Sequence, residues 1–144
     1  MTKYKQTVVP EASTKKWVAL TKNELRERLY NEYRSRYYGK RVVNQSLGIV
    51  VEFEGVGARK TSHGGAVYSK KACLIMILDK LIRYAEYSNW GDRKEKDDPH
   101  VIGYLNFKVK VKIDDKVEHI HLVIRVRNTG RFHYSMEVNK MKNR

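Results

Sequence analysis

The chain is poor in several things, and each shortage narrows what it can be. One cysteine, Cys73, stands among 144 residues, which excludes an internal disulfide and any cysteine-rich zinc site. Sixteen acidic residues face thirty lysines and arginines, for a formal net charge of +14 at pH 7. That deficit of acid excludes a nucleic-acid mimic and points to a polyanionic partner. Long apolar runs are missing too. The longest, Ala72 to Leu78, is far too short to cross a bilayer, and the opening Met1-Thr2-Lys3-Tyr4-Lys5-Gln6 has no apolar stretch of the signal-peptide kind. The expectation is a cytoplasmic protein with no membrane partner. What is plentiful is apolar and aromatic material, 41% hydrophobic residues with ten tyrosines. A disordered basic tail lacks such material, so the excess charge is expected on a folded body.

Patterning predicts one domain over residues 1–144, α+β in class. The expected order is an N-terminal helix, a strand, a central buried helix, and a three-stranded antiparallel sheet, curved and covered on one face by helices. Residues 1–20, including Trp17-Val18-Ala19-Leu20, read as an extended segment. Thr21 and Glu24 spell a Thr-x-x-Glu capping box, Leu20 and Leu25 fit a hydrophobic staple, and Gly39 supplies a stop, so the first helix spans Lys22–Tyr38. Leu25, Leu29 and Tyr33 or Tyr37 fall on its inward side. Arg26, Arg28, Arg34 and Arg36, followed by Lys40 and Arg41, make its outer side and end basic, either as a solvated face or as phosphate contacts.

Leu47, Ile49, Val51 and Phe53 alternate as a strand. The glycine-rich stretch Gly55–Gly65 that follows lacks both the P-loop and the dinucleotide-binding spacing. It reads as a basic loop whose Arg59 and Lys60 can touch a nucleic-acid backbone, glycine allowing the close approach. Lys70–Ser88, capped at Ser69, reads as a second helix. Its first half is apolar all round and is expected at the centre of the core, with Cys73 in a packing role. Residues 92–99 form a mobile mixed-charge loop ending at Pro99, and 139–144 a basic tail.

The last third alternates most clearly. Phe107, Val109, Val111 and Ile113 share one side of a strand, Asp114-Asp115-Lys116 is a hairpin turn, and Ile120, Leu122, Ile124 and Val126 share one side of the next. Phe132, Tyr134 and Met136 repeat the pattern on a third. The opposite face then carries Asn106, Lys108, Lys110 and Lys112, His119, His121, Arg125 and Arg127, and Arg131, His133, Ser135 and Glu137. Like charges directly opposite one another cost stability that a bound anion restores. Lysines on strands also block edge-to-edge aggregation. The arginines and histidines beside them favour a nucleic-acid face built from Arg59, Lys60, Lys108, Lys110, Lys112, Arg125, Arg127 and Arg131.

Two chemical readings of the same face compete. A metal-independent ribonuclease needs a general base, a general acid and cations for the developing phosphorane charge, and His119, His121, His133, Glu137 and Arg125 are the residue types required. His119 and His121, two apart on one strand, also resemble a transition-metal pair, but no third ligand is indicated. No metal or other cofactor is expected.

The segment Leu47–Val138 resembles a small domain of large polyvalent proteins from phages and conjugative elements, grouped with barnase-, colicin- and RelE-like ribonuclease folds. The resemblance is carried by Gly48-Ile-Val-Val-Glu-Phe53, Gly57-Ala-Arg59-Lys60-Thr61, the Ser69–Ala85 helix, the Tyr104–Arg127 hairpin and Phe132-His133-Tyr134. It implies an α+β fold, and RNA cleavage where a catalytic set is intact. The whole chain, with its Trp17–Thr21 entry and Tyr/Arg-rich first helix, is also similar to anti-CRISPR proteins of bacterial mobile elements. That likeness implies a non-enzymatic inhibitor whose partner is a type II RNA-guided nuclease or its guide RNA or target DNA.

Overall fold

A computed structural model of the chain describes residues 4–53, 69–95 and 99–140, with side chains to His133 in the last segment. It is α+β. The first regular elements are a short strand β1 (Glu11–Ala12), a single helical turn α1 (Lys15–Val18) and the helix α2 (Lys22–Arg36). The capping box forms: the Thr21 hydroxyl accepts from the Glu24 N–H at 3.2 Å, and the Glu24 carboxylate accepts from the Thr21 N–H at 2.9 Å. Those bonds hold the Glu24 carboxyl below its usual range. Leu25, Leu29, Tyr33 and Tyr37 are buried in a row, and Gly39, at φ +77°, takes the left-handed turn beyond the helix end.

The segment expected to be extended up to Leu20 instead makes a helical turn at Lys15–Val18. Thr14 O accepts from the N–H groups of Trp17 and Val18 at 2.9 and 3.1 Å. The Asp114 carboxylate takes the Thr14 N–H at 3.1 Å and also its hydroxyl, which keeps the Asp114 carboxyl below its usual range. Trp17, almost fully buried, anchors the turn in the core, and the Arg28 guanidinium lies 5.9 Å from its ring centroid.

The expected second helix, Lys70–Ser88, is divided. It forms α3 (Ser69–Ile75) and α4 (Leu78–Tyr84), and the chain then enters a strand, β4 (Glu86–Asp92). The break has a tertiary cause. The buried Tyr37 hydroxyl donates to Met76 O at 2.8 Å and accepts from Leu78 N–H at 3.0 Å, supplying from another helix the partners that continued α-helix would have supplied. At the far end of α4, Asn44 is fully buried and does the same. Its amide donates to Ile82 O and Ala85 O at 2.7 and 3.0 Å, and its oxygen accepts from Ser46 Oγ and Leu47 N–H at 2.9 and 3.0 Å.

Asn44 ends β2 (Arg41–Asn44), which pairs antiparallel with β3 (Ile49–Glu52) through a turn that includes Gly48 at φ +69°. Leu47 therefore lies in the turn, exposed, and the strand predicted from it begins two residues later. The remaining strands are β5 (Val101–Ile113), β6 (Lys116–Arg127) and β7 (Phe132–Lys140). Asp114 and Asp115, at φ +47° and +70°, make the two-residue hairpin turn between β5 and β6.

The sheet has seven strands and mixed sense, where three antiparallel strands were expected. The order is β2-β3-β7-β6-β5, with β4 and β1 sharing the outer side of β5. The extra strands join by pairings that alternation along a single strand does not display: β3 runs parallel to β7 and β1 parallel to β5. Between β4 and β1, the Gln6 side chain covers the edge of β5. Its Oε1 accepts from Lys110 N–H at 2.8 Å and its Nε2 donates to Lys110 O at 2.9 Å. On β4, the Trp90 ring lies so close to Gly103 that a Cβ there would come within 2.0 Å of it, so only glycine fits.

One continuous cluster of buried side chains, from Trp17 to Val126, joins the helices to the inward face of the sheet. Ala72, Cys73, Leu74 and Ile75 of α3 are all buried within it, as an all-apolar segment requires. Glu118 is a buried carboxylate on the inner side of β6, paired with Lys70 Nζ at 3.0 Å.

Asn44→Ala removes the partner of two carbonyls and an N–H around a fully buried position, and is expected to cost about 3 kcal/mol in urea unfolding; a loss within the error of the measurement would contradict this account of the α4 end. Burial pushes the Cys73 thiol up to about 11, so little thiolate exists at neutral pH. Native protein is expected to resist alkylation until denaturant opens it, whereas rapid labelling in buffer would show that the core is not closed over Cys73.

Candidate nucleic-acid interface

The pleat of β5 and β6 sorts their side chains. Phe107, Val109, Val111, Ile113, Ile120, Leu122, Ile124 and Val126 are buried on the inner side. Lys108, Lys110 and His119 are exposed on the other, with Lys112, His121 and Arg125 half-buried there. Cross-strand register pairs Lys108 with His121 and Lys110 with His119. The lysines therefore stand in one column and the imidazoles in the next, about 4.8 Å away.

The cations are partly compensated, which their spacing in sequence does not reveal. Lys108 Nζ lies 3.9 Å from Glu86 on β4, Lys112 Nζ lies 3.8 Å from Glu11 on β1, and Arg131 Nε lies 3.8 Å from Glu52 on β3. These are long, exposed pairs of small energy. Among the described residues Lys110 has no ion-pair partner. Asn106 reaches His121, its Oδ1 standing 2.9 Å from Nε2. Because that oxygen only accepts, the contact requires the proton on Nε2.

A second row crosses the middle of the sheet. Register places Arg41, Glu52, His133, Arg125 and Tyr104 side by side on five successive strands, β2, β3, β7, β6 and β5. His133 was expected to stand open to solvent, but it is only 5% exposed. It sits in an interior strand with the longer side chains of Glu52 and Arg125 to either side, not at a hairpin edge. Val123 on the same face is equally buried. Arg125 Nε is buried and meets no hydrogen-bond acceptor among the described residues. Arg127, half-buried at the end of β6, bonds through its N–H to Arg131 O at 3.0 Å, and Arg131 is exposed.

Of the predicted site residues, Lys108, Lys110, Lys112, His119, His121 and Arg125 are thus brought onto one face. His133 joins them from the adjoining strand, and Arg131 lies at its end. Arg59 and Lys60, the Glu137 side chain, the centre of the charged loop at 96–98, and 141–144 of the tail lie outside the described residues. Asn106, which alternation assigns to the open face, lies there beside His121; Glu52 and Tyr104 were not singled out from sequence. The polar positions of the alternating strands could have suggested Tyr104 as well, whereas Glu52 depends on the parallel β3–β7 pairing. Among the described residues no three His, Cys, Asp or Glu side chains are grouped to hold a metal ion, and no helix is long and apolar enough to cross a membrane.

Residues 21–134 match the family described as Large polyvalent protein-associated domain 3. No curated protein and no solved structure matches the chain.

The His121–Asn106 contact is checked by a long-range proton–nitrogen spectrum. The neutral His121 ring is expected in the Nε2–H form, and Asn106→Ala is expected to release it toward a mixture of tautomers. An Nδ1–H form in the native chain would refute the arrangement.

Proposed function

The chain belongs to the Large polyvalent protein-associated domain 3 family, and we propose that it is a basic binding protein of mobile genetic elements whose open sheet face holds a nucleic acid or ribonucleoprotein. The reading includes inhibition of a type II RNA-guided DNA nuclease by occupancy, without turnover. The observation that carries it is the exposed column of Lys108 and Lys110 beside His119, with Lys112 continuing it, on the side of the sheet opposite the buried core. Phosphates bound there would replace the weak carboxylate pairs of Lys108 and Lys112 and provide Lys110 with a partner. Arg131 extends the same charge toward the end of β7, and Arg59, Lys60, Arg125 and Arg127 complete the proposed set.

An RNA-guided nuclease holds its heteroduplex in a positively charged channel. A chain of net charge +14 is repelled there, so inhibition would run through the effector's exposed guide RNA or displaced DNA.

A second reading is favoured by one observation, the row that sets His133 between Glu52 and Arg125. A carboxylate, an imidazole and a guanidinium are the groups a metal-independent ribonuclease uses. The burial of His133 weighs against it, because a general acid must reach the leaving oxygen.

Fluorescence anisotropy against RNA and DNA over a salt series tests the binding claim. Affinity is expected to fall steeply with salt, and the Lys108→Gln/Lys110→Gln variant to flatten the log–log slope by about two; a flat native slope would overturn the assignment. Incubating labelled RNA with the protein in chelator separates the two readings. Intact RNA, together with dose-dependent block of a purified RNA-guided nuclease, is the expected result, whereas cleavage lost in His133→Ala would establish the second.

A further inference from the structure

The open face contains more than charge, and the way its groups are arranged selects one form of nucleic acid. We infer that its ligand is a single strand, laid along β5 with phosphates on Lys108, Lys110 and Lys112 and bases turned onto the imidazoles of His119 and His121. This rests on the nucleic-acid reading of the same face and adds the substrate class to it.

Three observations carry it. Alternate residues on one antiparallel strand stand about 6.7 Å apart, so the three lysines form a ladder about 13 Å long. That rung spacing suits consecutive phosphates of one extended sugar–phosphate chain. The ladder is also only one strand wide. Its flanks are Glu86 and Glu11 on the outer side, 3.9 Å from Lys108 and 3.8 Å from Lys112, and the two imidazoles on the inner side. A second phosphate chain running alongside would meet carboxylates on one flank and rings on the other.

The column beside the lysines is aromatic, and one of its rings is held in place. His121 is tied to Asn106 across the sheet at 2.9 Å, and His119 stands exposed two residues away on the same face. Imidazoles can stack with bases that have been unstacked from their neighbours, but they cannot reach base faces closed inside a duplex. Phosphate on the lysine column and base on the histidine column is the division of labour of a single-strand groove.

The test uses the full chain and three probes: a short fluorescein-labelled single strand of mixed sequence, the same strand annealed to its complement, and heparin, which has anionic charge without bases. The single strand is expected to bind about tenfold or more tighter than the duplex. The His119→Ala/His121→Ala variant is expected to lose on the order of tenfold for the single strand while leaving heparin affinity within about twofold. His119→Tyr/His121→Tyr, which retains a stacking ring, is expected to restore binding, and a thermal melt confirms that both variants are folded.

Equal affinity for single strand and duplex would overturn the single-strand inference while leaving the polyanion face intact. So would an alanine variant that binds the single strand as well as the native chain, or one that weakens heparin equally. Absence of salt-dependent binding to all three probes would overturn the nucleic-acid reading itself. RNA and DNA versions of the strand report whether the ribose 2′-hydroxyl contributes.

Discussion

The two-residue period of β5 and β6 is the constraint on which everything else in this molecule depends. Half of their side chains are apolar and half are not, and successive residues cannot share a face. Once α3 and α4 contribute to a core with Phe107, Val111, Leu122 and Ile124, the lysines and histidines between those residues have one direction left. The basic face is therefore a by-product of folding as much as a surface feature. A change that slipped the β5–β6 register by one residue would place Lys108 and Lys110 among leucines. The Asp114-Asp115 turn, with positive φ at both residues, fixes that register at its tip.

Local chemistry that lies within a few residues of sequence could be read directly. The capping box of α2 needs only Thr21 and Glu24, and the β5–β6 hairpin needs only alternation and a turn. Features fixed by distant partners could not. Met76 and Ile77 are as apolar as their neighbours, and nothing in their types marks a break; the break is made by the hydroxyl of Tyr37, some forty positions earlier in the chain. Glu86-Tyr87-Ser88-Asn89-Trp90-Gly91-Asp92 lacks alternation because β4 is mostly exposed. Backbone pairing with β5 and contacts such as Tyr87 on Phe107, at a centroid distance of 5.7 Å, define it as a strand.

The candidate site divides along the same line. The columns containing Lys108, Lys110 and Lys112, and His119 and His121, were visible because each belongs to one strand. What surrounds them was not. The carboxylates of Glu86 and Glu11 come from strands that were not expected, and they lower the self-repulsion that a count of lysines alone suggests. His133 falls on the side that alternation assigns, yet it is buried, because parity says which way a side chain points and nothing about how tall its neighbours are. Glu52 is set beside His133 by a parallel pairing, which requires a long connection and leaves no short-range mark.

Gln6 has a consequence for how this protein behaves among copies of itself. Strand β5 is longer than either of its outer partners, and the stretch they leave uncovered lies at Lys110, in the middle of the lysine column. A primary amide has the same donor and acceptor as a peptide unit, so the Gln6 side chain impersonates one residue of a missing strand. Another chain's backbone finds no vacancy there to dock against. Fibre growth by edge-to-edge stacking thus loses its foothold at the stretch where a highly charged ligand, by neutralising repulsion between molecules, would otherwise encourage it.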